Sequence, residues 1–173
     1  KCLNENQKDY QSLYNLLYCY EKLKQNNEAI IFLRKFIDSD PYNEIAWHQL
    51  GKLYAKSNDF NKAMSAFDFS IISNEVYSSA YIEKGKLLEK VGRNVDAIKN
   101  YEISTKINSP NAFISHRIGL CHLKLGNSTL AMKFFEESIQ LEPNHEKSWI
   151  DLITLLQKNN ELIKSQLYVE KSL

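Results

Sequence analysis

The sequence is short of helix breakers. Its 173 residues include five glycines and three prolines, where average usage of about 7% and 5% would give roughly 21 of the two together. That shortage argues against a turn-rich all-β fold. Cysteine is scarce as well: Cys2, Cys19 and Cys121 are odd in number and lack CxxC spacing, which excludes a disulfide framework and a recognisable zinc site. No apolar run approaches the ~18 residues of a membrane span, and the first residues lack the apolar core of a secretory signal. An excess of one charge is also missing. With 22 Lys+Arg against 21 Asp+Glu the net charge is +1, so nothing general draws the chain to nucleic acid or to an anionic membrane. What is present, 43% hydrophobic and 25% charged residues, supports a buried core. Reduced cysteines and the absence of a span together give a cytoplasmic expectation.

The pattern that is present has a period of thirty-four. Gly51, Gly85 and Gly119 fall on it, as do Ala29, Ala63, Ala97 and Ala131, and the bulky set Leu33, Phe67, Tyr101 and Phe135. The same ruler passes through Leu13, Trp47, Tyr81, Ser115 and Trp149. Several columns that share one period without insertion define an internal repeat, which fixes the fold before any single element is considered.

Each unit reads as two helices, 10–23 and 26–39 in the first. Small residues at Gly51, Gly85 and Gly119 are expected to let the second helix approach, with Ala63, Ala97 and Ala131 facing them; larger residues there would cost about 1–3 kcal/mol each. Asn58, Gly92, Gly126 and Asn160 share a column just past the first helix, where a left-handed residue is wanted. Pro41 and Pro143 close second helices, Pro110 does so one residue late, and Glu75 in that column predicts a softer boundary. Ser128 is the expected N-cap of its helix, which also accounts for the formal glycosylation sequon Asn127-Ser128-Thr129.

The segment Trp47-His48-Gln49-Leu50-Gly51-Lys52-Leu53-Tyr54, followed by Ala63 and Phe67, resembles the tetratricopeptide repeat (TPR), with its W-x2-L-G-x2-Y, A-x3-F and P positions. The resemblance covers nearly the whole chain. It implies an all-α fold, a right-handed α-solenoid of stacked antiparallel helix pairs forming a single array over 1–173. Residues 1–9 would be the end of a preceding repeat, followed by repeats 10–43, 44–77, 78–111 and 112–145 and an incomplete fifth, 146–173. Lys1 in place of Met, and a chain that stops inside a second helix, give the expectation of a fragment of a larger protein.

Catalytic chemistry is not recognisable. Gly51-Lys52-Leu53 and Gly85-Lys86-Leu87 lack the Ser/Thr of a phosphate loop and sit inside helices. His145-Glu146-Lys147-Ser148-Trp149 lacks the second histidine of a zinc-protease helix. Asp38-Ser39-Asp40-Pro41 lacks the glycine and closing glutamate of a calcium loop, so it reads as a helix end and turn. Cys121 and His122 are neighbours whose side chains point about 100° apart. Cys19 and Cys121 share a repeat column and are expected to be packed thiols. No cofactor and no metal are expected, and the chain is not read as an enzyme.

The resemblance implies that ligands lie extended along a concave groove lined by first helices. Carried onto this sequence, the groove columns supply the candidate peptide-binding residues Tyr14, Tyr18, His48, Gln49, Lys52, Ile82, Lys86, Phe113, His116, Arg117 and Lys147. Such a lining, aromatic then basic then mixed, suits a protein or peptide carrying an apolar anchor and carboxylates. The family's carboxylate clamp for chaperone tails fails at its columns, where Glu83 puts an acid in place of a base, and the asparagine ladder of sugar-transferase arrays is absent. Lys22, Lys56, Lys90, Lys124 and Lys158 form one column. These lysines read as cations near helix C-termini in preference to a rail for nucleic acid. His48 and His116, two repeats apart, are too distant to share a metal. The expected function is a non-catalytic protein-interaction scaffold without nucleic-acid or membrane partners; the alternatives are a self-association module, through apolar residues such as Leu162, Leu167 and Tyr168, or a regulatory portion of a larger protein.

Overall fold

The computed structural model describes residues 2–172, and the side chains of 10–171. Ten helices follow one another: α1 (Cys2–Lys22), α2 (Asn26–Ser39), α3 (Glu44–Lys56), α4 (Phe60–Ser73), α5 (Ser78–Lys90), α6 (Asn94–Ile107), α7 (Ala112–Lys124), α8 (Ser128–Leu141), α9 (Glu146–Lys158) and α10 (Leu162–Ser172). There is no strand among the described residues. The second helices α2, α4, α6 and α8 are each 14 residues long, and the first helices α3, α5, α7 and α9 are each 13. One turn geometry repeated at thirty-four residues produces that uniformity.

The turn inside each pair is set by a left-handed residue. Asn58, Gly92, Gly126 and Asn160 have φ of 60°, 79°, 80° and 59°, as their column predicts, and Lys24 completes the column at φ 56°. Lysine is a poor residue for that conformation, which is why it escapes a composition-based reading. A lysine occupies the last turn of α1, α3, α5, α7 and α9, beside the helix carbonyl ends.

Several expectations need correction. The first helix, expected from residue 10, runs from Cys2, because the preceding stretch has neither Pro nor Gly and Gln7 stands in the proline column. Whether residues 1–9 belong to an earlier repeat depends on side chains outside those described. Ser128 is the first helical residue of α8, and Asn127 is the N-cap residue, without a side-chain capping bond. The boundary at Glu75 is not softer: α4 ends in register at Ser73, and Asn74 supplies what proline does elsewhere, donating to Glu44 Oε1 at 3.2 Å and accepting from the Val76 N–H at 3.2 Å.

Two compact units divide the chain, Lys1–Glu83 and Lys84–Leu173. In the first, Leu13, Leu33, Ile37, Ala46 and Leu50 form a continuous core between α1, α2 and α3. Asn43 caps α3 by accepting from the Ala46 N–H at 2.9 Å, and Ser70 reaches from α4 to the Glu44 carbonyl at 2.8 Å. In the second, Ala131, Phe135, Ile139, Leu152, Leu155 and Leu156 join α8 to α9. Asn111 and Ser138 repeat the Asn43 and Ser70 bonds sixty-eight residues on, to the Ile114 N–H at 3.0 Å and the Ala112 carbonyl at 2.8 Å.

Within a pair the helices meet differently from the expected glycine–alanine contact. A β-carbon on Gly51 would lie 2.6 Å from Phe67 Cε1, and one on Gly85 equally close to Tyr101 Cε1. The aromatic column is therefore the direct partner of the glycines. The alanines are buried beside it, and at Gly119 the Ala131 carbonyl oxygen also stands 3.3 Å from such a β-carbon.

Candidate functional site

In the first unit, α1 and α3 leave between them an open cleft of about 470 Å³, closed at one end by the start of α2. Tyr14 and Tyr18 stand on its α1 wall, 40% and 59% exposed, and Gln49 and Lys52 on its α3 wall. These four residues share one face because they are four and three apart on their helices. Lys56 is tied to Glu21 at 3.5 Å and Lys22 lies 5.1 Å from the Tyr18 ring, whereas Lys52 is exposed and forms no ion pair among the described residues. The cleft therefore presents two aromatic rings and one uncommitted cation.

The remaining candidates of this unit sit behind that surface. His48 is buried at 6% exposure, its ring packed against Phe67 at 6.1 Å and edge-on to Tyr77 at 5.3 Å, with its Nδ1 3.4 Å from the Tyr77 hydroxyl. Tyr77 also hydrogen-bonds Tyr14, and burial pushes its hydroxyl pKa well above the ordinary tyrosine value. His48 is thus linked to Tyr14 through Tyr77 and is not among the residues that line the cleft. Ile82 is half-buried.

In the second unit, Lys86 lies 5.3 Å from the ring of Phe113, which is 41% exposed, and Lys147 is exposed. Arg117 is committed elsewhere. Its Nε donates to Glu89 Oε1 at 2.8 Å, the Tyr101 hydroxyl donates to the same oxygen at 2.7 Å, and Lys124 stands 3.6 Å from the other. Glu89 is only 5% exposed, so this is a buried carboxylate neutralised by two cations. Burial beside Glu89 pushes the Cys121 thiol up to about 12, leaving it protonated and inert. Cys19, expected to be packed like Cys121, is exposed on α1.

His116 is buried like His48 and packs on Phe135 at 5.5 Å and on the His145 ring at 5.1 Å, with its Nε2 2.7 Å from Asp151 Oδ2. Desolvation lowers its pKa and outweighs the opposing pull of Asp151. His145 Nδ1 pairs with the Ser148 hydroxyl at 2.8 Å, and Ser148 donates to Ser138 Oγ at 2.7 Å. The hydroxyls and imidazoles are thus used up in joining α7, α8 and α9. Among the described residues no group of three or more His, Cys, Asp or Glu is placed to hold a metal, and no helix is long and apolar enough to cross a membrane. The sequence alone did not signal the Glu89–Arg117 pair, because its members lie in different repeat columns twenty-eight residues apart.

Comparison with known proteins agrees with this architecture. A solved structure of MamA superposes with a TM-score of 0.82 at 18% identity, over 88% of this chain and 90% of that one. A structure of YrrB, described as a TPR protein with an unusual peptide-binding site, gives 0.71 at 16% identity over 81% and 72%. Among curated proteins, anaphase-promoting complex subunit 3 of Schizosaccharomyces pombe is 22% identical over 127 residues, 73% of this chain and 19% of that protein. The chain spans about a fifth of the length of the first such relatives. The tetratricopeptide-repeat model matches residues 10–43, 45–68 and 114–145, more than half of the sequence. With its thirty-four-residue period, paired helices and left-handed turns, the chain belongs to the tetratricopeptide repeat family.

Proposed function

We propose that this chain is a non-catalytic scaffold whose first-helix face binds an extended segment of another protein, with the α1–α3 cleft as its principal contact. The observation that carries this reading is the juxtaposition of exposed Tyr14 and Tyr18 with the unpaired Lys52 around one open cleft. Two rings offer a stacking wall for an apolar or aromatic side chain, and the ammonium offers a partner for a carboxylate. TPR proteins are in general protein-interaction scaffolds, and the YrrB structure is described as peptide-binding. In the second unit Lys86 with Phe113, and Lys147, offer a similar chemistry on first helices; Arg117, His48 and His116 support the helices and are not contacts in this proposal.

The test is selection from a random peptide library. The reading expects enrichment of sequences pairing an apolar residue with Asp or Glu, and loss of that enrichment in a Tyr18→Ala, Lys52→Glu variant of unchanged helicity. Equal enrichment on both proteins would reject the surface.

A second reading is favoured by α10, where Leu162, Ile163 and Leu167 are 60%, 85% and 48% exposed. That face suits association with another copy; Tyr168 contributes nothing to it, being packed on Trp149 and bonded to Glu136. Sedimentation that stays monomeric over a wide concentration range would dismiss it.

A further inference from the structure

Four connections run from a second helix to the next first helix, and three of them are hydrogen-bonded turns. The Asn43 N–H donates to the Asp40 carbonyl at 3.3 Å, Tyr77 to Asn74 at 3.1 Å and His145 to Glu142 at 3.0 Å. The fourth, between α6 and α7, differs. Residues 109–111 are in neither helix nor turn, and Asn108 and Asn111, which flank Ser109-Pro110, are extended with φ −117°, ψ 156° and φ −137°, ψ 159°. The cause is the proline that comes one residue late. Pro41 and Pro143 stand at the first central position of their turns, where a fixed φ fits. Pro110 stands at the second, where it drives the residue before it out of the helical region and opens the turn.

That opening singles out one hydroxyl. Among the described residues only Ser57 and Ser109 are Ser or Thr outside a helix, and Ser57 lies in a turn, its N–H held by the Leu53 carbonyl at 3.0 Å. Ser109 is exposed, and its hydroxyl makes no hydrogen bond among the described residues. It is also the only Ser or Thr of the sequence that is followed by proline. The Asn127 sequon, by contrast, has Ser128 and Thr129 in the first turn of α8. Along the chain the charge around Ser109 has one sign: no Asp or Glu occurs between Glu102 and Glu136. Lys106, exposed and in no ion pair among the described residues, is three residues back on the last turn of α6.

From this we infer that Ser109 is a phosphorylation site, the acceptor for a proline-directed serine/threonine kinase. Such an enzyme selects proline after the acceptor and takes the segment in extended form, and the α6–α7 connection supplies both together with an unengaged hydroxyl. In the transfer, Ser109 Oγ bonds to the γ-phosphorus of a nucleoside triphosphate as the bond from that phosphorus to the β-bridging oxygen breaks. The nucleoside diphosphate leaves, and the hydroxyl proton passes to the catalytic aspartate of the kinase. The product gains about −1.5 to −2 of charge at pH 7, two residues ahead of the Asn111 N-cap of α7, on the side where negative charge suits the helix dipole. Because Ser109 is exposed, no packed side chain has to move.

The test uses the whole folded chain, incubated with a purified mitogen-activated protein kinase and magnesium ATP, with the free peptide of residues 103–115 as reference. Intact mass counts the phosphates and peptide mapping places them. The expected result is one phosphate per chain, on Ser109, at a rate within tenfold of the peptide's. Ser109→Ala accepts none, Pro110→Ala reacts at least tenfold more slowly, and the modified chain keeps its helical spectrum. No phosphate on the folded chain while the peptide accepts it, or none on either, would overturn the proposal. So would phosphate on another residue in place of Ser109, equal rates for the native chain and Pro110→Ala, or a loss of helicity on modification, which would mean that the kinase had captured an unfolded chain.

Discussion

The ring of Phe135 occupies the space that any side chain on Gly119 would need: a β-carbon there would lie 2.6 Å from Phe135 Cε1. Phe135 is fully buried and cannot swing away. The two columns vary together along the chain, with Leu17 and Leu33 in the first repeat, glycine with Phe67, Tyr101 or Phe135 in the next three, and Ile153 and Val169 in the last. A bulky first helix takes an aliphatic partner, and a glycine takes a ring. Gly119→Ala is therefore expected to destabilise by about 1–3 kcal/mol, although alanine is otherwise favoured over glycine inside a helix by about 1 kcal/mol. Combined with Phe135→Leu it should cost less than the sum of the two single changes. Urea unfolding of the three variants measures this, and a more stable Gly119→Ala protein would disprove the contact.

The left-handed column gives opposite signs at two of its members. Nothing lies within 4 Å of a β-carbon on Gly126, so Gly126→Ala reports the backbone alone and should cost about 1–2 kcal/mol. Lys24→Gly relieves the same strain and should stabilise by up to ~1 kcal/mol. Thermal unfolding of both decides it; a loss at Lys24→Gly would mean that the lysine side chain has a role of its own.

Removing Arg117 strands the buried Glu89 carboxylate. Arg117→Ala should destabilise by about 3 kcal/mol, the lower end of the range for breaking buried pairs, because Lys124 stays 3.6 Å from the other oxygen. Glu89→Gln in the same chain should recover part of that loss. If Arg117→Ala were neutral in denaturant unfolding, the guanidinium would be a surface group and available to a ligand.

His116 makes stability depend on pH. Desolvation depresses its pKa in the folded state below the usual 6.5, so between the two values the unfolded chain binds more protons. Stability is then fully present above about pH 6.5 and is lost as pH falls through the unfolded value toward the folded one. Asp151, His145 and Arg117 are the titratable and charged neighbours, and Asp151 opposes the shift. His122, also depressed by burial, acts in the same direction. Urea midpoints from pH 7.5 to 5 should fall in the native protein and fall less in His116→Gln. Identical profiles would remove His116 from the account.

The helix pairs were legible because each boundary leaves a mark that recurs: Pro41 and Pro143, the lysine column, and Asn58, Gly92, Gly126 and Asn160. Lys24 was not legible, since lysine does not advertise a left-handed backbone. The partner of the glycines was misread because sequence shows which columns are small, whereas packing depends on which column is large. The candidate residues divide by burial, which a one-helix reading cannot settle. Tyr14, Tyr18 and Lys52 are open, while His48 and His116, in the column next to the exposed face, turn inward because Phe67, Phe135, Tyr77 and His145 hold their rings.

The central claim is that the α1–α3 cleft binds a peptide by its rings and its free lysine. Its most direct measurement is the calorimetric affinity of a library-selected peptide for the native chain and for Tyr18→Ala, Lys52→Glu. The account predicts at least a tenfold loss of affinity, with an unchanged helical spectrum and a weaker salt dependence, since the charge contact is gone. Equal affinity for the two proteins would contradict it.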